Sequence, residues 1–328
     1  MNTFIKKFIP VTLAFSLLSG TSAFAADFPD MPDDWTTTAL ENAVENGLLG
    51  GFEDGTIRPD NNITRAQMAT IVVRSFGATA DADISAFTDV KEGDWFYDAF
   101  SKAVQMGAFN GNDLNQLNPN NPIKFEECFK VIASVFGLIA DTKVYPETSK
   151  FKNDIQKQDL TVLDKFSDAN EVSEWAKPYV ASIVAGGYWD GIDGKLTPRA
   201  YITRAQFAVL MDNMVKTYIS EPGTYTDLGE GNIMIKSPSV TIENLTTDNN
   251  IIISDGVAET EEGINFTNCT VNGRLVVRGG GLNVNYQGFL KNFVVQNQGI
   301  KITVQLSNLM TVTGYIIDGS SWSYTIGG

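Results

Sequence analysis

Three segments of the 328-residue sequence share one spacing of tryptophan, glycine, proline and isoleucine. In each segment a tryptophan stands twelve residues before a glycine, and a second glycine follows four residues later. The shared positions are Trp35, Gly47, Gly51, Pro59 and Ile63 in copy one, Trp95, Gly107, Gly111, Pro119 and Ile123 in copy two, and Trp175, Gly187, Gly191, Pro198 and Ile202 in copy three. Fixed spacing at this period indicates repeated modules that bury a core together.

Each copy is predicted to contain two amphipathic helices. The first follows the tryptophan and ends at the first glycine, which can adopt a left-handed cap conformation. The second follows the isoleucine, and capping boxes are predicted at Thr64–Gln67 and Thr203–Gln206. Its apolar stripe is Met68, Ile71, Val72 and Phe76 in copy one, Cys128, Val131, Ile132 and Phe136 in copy two, and Phe207, Leu210, Met211 and Val215 in copy three. The pattern predicts one pseudo-trimeric helical bundle.

Arginines occupy the first turn of two of these second helices. Arg65 and Arg204 stand where the helix dipole disfavours a cation. They could be solvated surface arginines or could pair with a neighbouring acid. We favour an anion site, in which the helix terminus and the guanidinium together bind a carboxylate.

These motifs resemble the surface-layer homology module over roughly residues 26–218. The matching segments are Phe28-Pro-Asp30, Phe87-Thr-Asp89 and Phe166-Ser-Asp168, the three tryptophans, and Ile63-Thr-Arg-Ala-Gln67 and Ile202-Thr-Arg-Ala-Gln206. Glutamine replaces the family's usual final glutamate. The resemblance implies a three-pronged helical domain that binds secondary cell-wall polysaccharide, often pyruvylated, in grooves between prongs. The candidate polysaccharide-binding residues are Arg65, Arg204, Thr64, Thr203, Asp30, Asp89, Asp168, Trp35, Trp95, Trp175 and Lys124.

Copy two departs from the family pattern. It has Phe125 at the arginine position and Lys124 at the threonine position. A phenylalanine cannot bind a carboxylate, and a lysine would offer a point charge without the guanidinium fork. The tryptophans could pack in the core or stack on a sugar; we favour packing, because copy two keeps its tryptophan although it has lost the arginine.

Composition limits the chemistry. The sequence contains no histidine, which excludes histidine-based catalysis, and its net charge of −15 disfavours nucleic acid as a partner. Residues 1–25 read as a signal peptide, with Lys6 and Lys7 before a short apolar run. The two cysteines, Cys128 and Cys269, are predicted to be buried free thiols. No cofactor, no metal site and no membrane span after signal cleavage are expected.

The C-terminal third changes to alternating apolar residues, which is typical of β-strands. Val240 and Ile251 recur 24 residues later as Ile264 and Leu275, and Leu282 and Phe293 follow these by 18. This spacing favours a short parallel β-helix, with an antiparallel sandwich as the alternative, because Asn272-Gly273 resembles a hairpin turn. The charged residues Asp248, Asp255, Arg274 and Arg278 are predicted to have turn or surface roles.

The sequence therefore predicts an α+β multidomain protein with a helical bundle followed by an all-β domain. The expected segments are a signal peptide (1–25), modules at 26–85 and 86–137, an insert (138–164), a third module (165–218), a linker (219–229) and a β-solenoid-like domain (230–328). We expect a secreted, non-enzymatic cell-surface protein anchored to wall polysaccharide, with other surface-layer proteins as further candidate partners. The alternative is a wall-anchored enzyme that acts on polysaccharide with its β-domain.

Overall fold

The structure is a computed structural model and describes residues 28–138, 158–258, 260–279, 283–296, 302–306, 311–318 and 322–326. The predicted signal peptide and most of the predicted insert lie outside these residues. Six α-helices, two in each copy, occur within them: α1 Thr37–Glu45, α2 Arg65–Phe76, α3 Tyr97–Gln105, α4 Phe125–Val135, α5 Lys177–Ala185 and α6 Arg204–Met214. All predicted apolar positions of α2, α4 and α6 and of the residues that follow these helices are buried, as their helical spacing requires.

The predicted helix ends are confirmed. Gly47, Gly107 and Gly187 follow the first helices with φ of 69°, 73° and 72°, a conformation that glycine adopts without strain. The side chains of Thr64 and Thr203 each accept a hydrogen bond from the backbone N–H three residues further on, in Gln67 and Gln206. The side-chain oxygen of each glutamine in turn accepts from the backbone N–H of the threonine. Both capping boxes are therefore complete.

A cyclic set of backbone hydrogen bonds joins the three copies. Ile123 N–H donates to the Ile63 carbonyl (2.8 Å), Ile63 N–H to that of Ile202 (3.1 Å), and Ile202 N–H to that of Ile123 (3.1 Å). All three side chains are fully buried. The start of each second helix thus meets the other two copies at one point, which explains why the isoleucine recurs.

The C-terminal region is a set of parallel strands. The strands are β1 Thr217–Ile219, β2 Gly223–Tyr225, β3 Ile233–Ile235, β4 Val240–Glu243, β5 Thr246–Thr247, β6 Ile251–Ile253, β7 Ile264–Val277, β8 Asn283–Gln296, β9 Ile302–Leu306, β10 Thr311–Asp318 and β11 Trp322–Ile326. Every pairing between these strands is parallel. The antiparallel alternative is therefore wrong for the described strands, and Gly273 lies inside β7 rather than in a hairpin turn.

Most of the predicted strand register is confirmed. Val240 pairs with Ile264, Ile251 with Leu275, and Leu275 with Phe293. The predicted partner of Ile264 is wrong, because Ile264 pairs with Val284, and Leu282 lies outside the described residues. Two register shifts between β7 and β8 explain why a constant offset of 18 residues holds for only part of these strands.

Two apolar clusters hold the described residues together. One fills the inside of the β-region, and the other combines the helices with four residues on the outer face of the sheet: Met234, Ile252, Val276 and Val294. Cys128 and Cys269 belong to different clusters and are buried free thiols, as predicted. No helix in the described ranges is long and apolar enough to cross a membrane.

Candidate functional site

Each second helix begins against the loop of another copy, which creates three equivalent contacts. We call them junction 1–2 (Arg65 of α2 with Leu117 of copy two), junction 2–3 (Phe125 of α4 with copy three) and junction 3–1 (Arg204 of α6 with Ile57 of copy one). The predicted site residues at the helix starts therefore face a neighbouring copy.

The N-terminal amides of these helices are already bonded. At each junction the first two helical N–H groups donate to two carbonyls of the neighbouring loop. The pairs are Arg65 to Asn121 and Ala66 to Pro119, Phe125 to Ala200 and Glu126 to Pro198, and Arg204 to Asn61 and Ala205 to Pro59. The first two helical amides therefore cannot contribute to the predicted anion site, because the neighbouring copy uses these donors. The contribution of the arginines to such a site stays a prediction.

Arg204 is a buried residue with two backbone partners. Its Nε donates to the Ile57 carbonyl (2.7 Å) and one terminal nitrogen donates to the Gly50 carbonyl (2.6 Å). The guanidinium carbon lies 4.9 Å from the centre of the Phe52 ring. Burial lowers the pKa of Arg204 to about 10, which still leaves it charged at neutral pH. Three of its five N–H donors have no partner in these bonds.

Arg65 makes the matching contact at junction 1–2. Its Nε donates to the Leu117 carbonyl (2.7 Å), and its guanidinium lies 5.2 Å from the centre of the Phe109 ring. A terminal nitrogen lies 3.4 Å from the Glu127 carboxylate. Burial lowers the pKa of Arg65, while Glu127 and Asp89 oppose that shift. The acids offset the charge of Arg65 locally.

Junction 2–3 replaces the cation by an aromatic pair. The Phe125 ring lies 5.2 Å from that of Trp189, and both side chains are buried. Within the described residues the indole N–H of Trp189 has no hydrogen-bond partner. The Lys124 N–H donates to Glu127 (2.9 Å), but the lysine ammonium cannot accept a bond as a threonine cap does. Only half of a capping box is present here.

The three predicted aspartates hold the loops that receive the second helices. In each copy both carboxylate oxygens accept from two successive backbone N–H groups, at 2.7–2.9 Å. The pairs are Asp30 with Ile57 and Arg58, Asp89 with Leu117 and Asn118, and Asp168 with Leu196 and Thr197. The second residue of each pair has φ near +50°, which costs energy for a residue with a side chain. The aspartates thus stabilise a strained turn.

The tryptophans of the repeat are exposed. Trp35, Trp95 and Trp175 expose 60%, 55% and 51% of their surface. Our preference for core packing is therefore wrong, since the apolar core is completed by the first-helix residues that follow each tryptophan. The alternative, stacking on a sugar face, requires this kind of exposure.

One candidate residue escaped the sequence analysis. Arg58 lies 3.9 Å over the Phe52 ring, on which Arg204 also lies, and pairs with Asp54 at 2.8 Å. Copies two and three have Asn118 and Thr197 at its position. This position directly precedes the shared proline in each copy. A comparison of the three copies there shows a cation in copy one alone.

The charged residues singled out in the β-region differ in their surroundings. Asp248 accepts from Asn272 at 2.8 Å in an exposed position, as expected for a turn. The backbone N–H of Arg274 donates to Asn250. Arg278 is buried against the helices and forms an ion pair (2.7 Å) with Asp255, so the predicted turn or surface role is wrong for Arg278. Asp255 lies in a turn, as predicted.

Comparison with known proteins identifies the repeated module. The S-layer homology domain family matches residues 27–69, 86–127 and 165–208. The chain is 29% identical over 226 residues to the "Surface-layer 125 kDa protein" of Lysinibacillus sphaericus, which covers 68% of this chain and 16% of that protein. It is 24% identical to the "S-layer protein sap" of Bacillus anthracis, over 66% of this chain and 25% of the relative.

Glycoside-degrading relatives carry the same region. "Exoglucanase XynX" of Acetivibrio thermocellus is 24% identical over 60% of this chain and 17% of its own length. The chain thus spans a quarter or less of these three relatives. Proteins named as surface-layer proteins and a protein named as an enzyme thus both match this chain. This chain is a secreted cell-surface protein that contains three S-layer homology domains followed by a β-rich region.

Proposed function

We propose that the three modules anchor this protein non-covalently to secondary cell-wall polysaccharide. The observation that carries the proposal is the threefold recurrence of an exposed tryptophan within a module of the S-layer homology family. Exposed indole rings suit stacking on sugar faces, whereas a purely structural tryptophan would be buried. The surface-layer relatives support a role at the wall and make other surface-layer proteins candidate partners.

Junction 3–1 is the preferred place for an acidic sugar. Arg204 and Arg58 both lie against Phe52 there, and Arg204 keeps unused N–H donors. At junction 1–2 Glu127 offsets Arg65. At junction 2–3 Phe125 occupies the arginine position, and the neighbouring motif cation is Lys124. A pyruvate ketal carries one carboxylate, so a pyruvylated polymer would bind most strongly at junction 3–1.

The threonines and aspartates of the proposed site position the helices and turns rather than contact the ligand. Thr64 and Thr203 cap their helices. Asp30 and Asp89 hold the turns that accept from Arg204 and Arg65, and Asp168 holds the equivalent turn at junction 2–3.

We propose the module boundaries given above, with a short parallel β-solenoid behind a pseudo-trimeric bundle. The solenoid begins at β1 (Thr217–Ile219) and includes β2 (Gly223–Tyr225), so the expected linker at 219–229 is part of it. The parallel registers support this, since each strand pairs with one that lies a coil further along the chain.

Sedimentation with purified walls tests the proposal. The full chain should bind walls and lose most of that binding after mild acid treatment, which removes pyruvate ketals. Walls treated in neutral buffer serve as the control. Equal binding to both preparations would contradict the acidic-sugar assignment, and no binding to either would contradict wall anchoring.

The alternative function is that of a wall-anchored enzyme, which the match to an exoglucanase favours. An assay for reducing ends or unsaturated products, with wall and plant polysaccharides, separates the two functions. We expect no turnover from residues in the β-region, because Arg278 is buried against the helices and is paired with Asp255. Turnover that disappears in Asp248→Ala would support the enzyme instead.

A further inference from the structure

The outer face of the β-sheet is built to receive the helices. Along β3, β6, β7 and β8 the side chains alternate between the inside of the β-region and the helical core. Met234, Ile252, Val276 and Val294 stand in register across these strands and form an apolar row in the same cluster as the helices. A solvated sheet face would carry polar residues at these positions.

Arg278 binds the C-terminal ends of helices at one side of this row. Its terminal nitrogens donate to the carbonyls of Val135, the last residue of α4, and of Met106, which caps α3 (both 3.2 Å). Such carbonyls have no partner within their own helix. Asp255 neutralises the guanidinium from the sheet side at 2.7 Å.

Further bonds on the same side reach α2 and α4. Gly256 N–H donates to the carbonyl of Phe76, the last residue of α2 (2.8 Å). The Gln296 amide donates to the Ser134 carbonyl in α4 (3.0 Å) and accepts from Arg278 (2.8 Å). Gly77 and Gly256 approach so closely that a Cβ on Gly256 would lie 2.7 Å from the Gly77 carbonyl oxygen.

A second group of polar contacts lies on the other side of the row. The Asn232 amide donates to the Met214 carbonyl at the end of α6 (2.7 Å) and to the Tyr188 hydroxyl (2.9 Å). Asn250, one coil further along, donates to the same hydroxyl (3.0 Å). Tyr188 comes from copy three, so the sheet also binds the loop after α5.

We propose that the β-rich region acts as a base plate for the S-layer homology domains. It fixes the C-terminal ends of α2, α4 and α6, whose N-terminal ends form the three junctions. The helices and the β-region then unfold as one cooperative unit, and the modules are not an independent anchor on a separate spacer. The link to wall binding rests on the proposed function, whereas the cooperative unit does not.

Variants of the full chain test the base plate by unfolding and by hydrogen exchange. In the wild type, helical and β-signals should be lost in one transition. Arg278→Met should lower the melting temperature by roughly 5–10 °C, since it leaves Asp255 buried without its partner. It should also speed exchange in the last turns of α2 and α4 by about tenfold or more. Lys195→Met, which removes an exposed cation, controls for charge and should change neither quantity.

Two further variants keep the test informative if Arg278→Met fails to fold. Gln296→Ala removes the bond to Ser134 and should speed exchange in α4 but not in α6. Asn232→Ala should speed exchange at the end of α6 instead. Separate transitions for the helices and the β-region in the wild type would overturn the proposal, as would unchanged exchange at both helix ends in the variants. A wild type that unfolds in one step but fails to bind walls would contradict only the proposed function.

Discussion

Junctions 3–1 and 2–3 have the same backbone but opposite side-chain chemistry. Arg204 N–H and Phe125 N–H donate to equivalent carbonyls of the next copy, both at 3.0 Å. The Arg204 guanidinium then binds two more carbonyls, whereas the Phe125 ring packs on Trp189. The backbone contacts therefore maintain the cyclic arrangement whether the slot holds a cation or an aromatic ring.

Copy two has also adapted around its phenylalanine. Glu126, where the other copies have alanine, is buried and accepts from both the N–H and the hydroxyl of Ser173 (2.9 Å each). Glu127 accepts from Lys124 N–H and lies near Arg65. Each departure from the motif thus has a structural partner. Junction 2–3 has become part of the scaffold, while junction 3–1 has kept a positive charge.

The largest effect is expected from Phe125→Ala at junction 2–3. Removal of this fully buried ring should lower the free energy of unfolding by about 3–5 kcal/mol, through lost transfer energy and the cavity that remains. Chemical denaturation measures this loss. Leu114→Ala, at an exposed position, is the control and should change little. A fall in wall affinity of the folded variant would show that Phe125 contacts the ligand.

Arg204→Ala at junction 3–1 should lower both stability and wall affinity. It leaves the Ile57 and Gly50 carbonyls without donors, which should cost about 2–3 kcal/mol. The structure thus corrects the simple expectation that a motif arginine serves the ligand alone. Arg204→Lys is the matched variant and should rescue little, because an ammonium lacks the planar fork. Unchanged stability in both variants would contradict the structural role.

Local patterns predicted the elements well. Helix periodicity, the glycine ends, the two threonine caps and most of the strand register follow from neighbours in sequence. What the sequence did not show was which copy each motif faces. Arg65 makes its bond to Leu117, 52 residues away, so the spacing within copy one carries no sign of it.

The role of polar residues was harder to predict than the fold. A threonine cap followed by arginine suggests a helix terminus that is free to bind a ligand. In the structure, the first amides of the helix instead donate to loop carbonyls of another copy. Aspartates near aromatic residues suggest a binding groove, yet their oxygens hold a strained turn. The contact between the sheet and the helices forms only when both regions are folded. The sequence periodicity indicates an apolar face on each region but does not indicate that these faces pack against each other.

A graft at junction 2–3 should sharpen the comparison. Phe125→Arg combined with Trp189→Phe copies the pair Arg65 and Phe109 of junction 1–2. We expect wall affinity to rise by about tenfold, as one charge-assisted contact would provide. The gain should weaken as salt is added. Phe125→Arg alone, with Trp189 in place, is the control and should lower stability without that gain.

The caps offer a smaller test of the same asymmetry. Thr64→Ala and Thr203→Ala should each cost about 1 kcal/mol of folding stability, because each removes one side of a capping box. Lys124→Ala should cost almost nothing, since no side-chain cap bond is present there. Thermal unfolding of the three variants measures the difference. Equal losses in all three would contradict the view that copy two lacks a functional cap.

The smallest change in stability is expected from the tryptophans. Trp35→Ala, Trp95→Ala and Trp175→Ala should each change the free energy of unfolding by less than about 0.5 kcal/mol, as substitutions at exposed sites do. If the rings stack on sugar, each variant should still weaken wall binding, whichever junction lies nearest. Phenylalanine at the same position is the control, because it keeps an apolar ring of smaller area. A binding series in which only the alanine variants lose affinity would assign the contact to the ring itself. Wild-type affinity in all three alanine variants would remove the tryptophans from the proposed site and leave the cations of junction 3–1 as its main component.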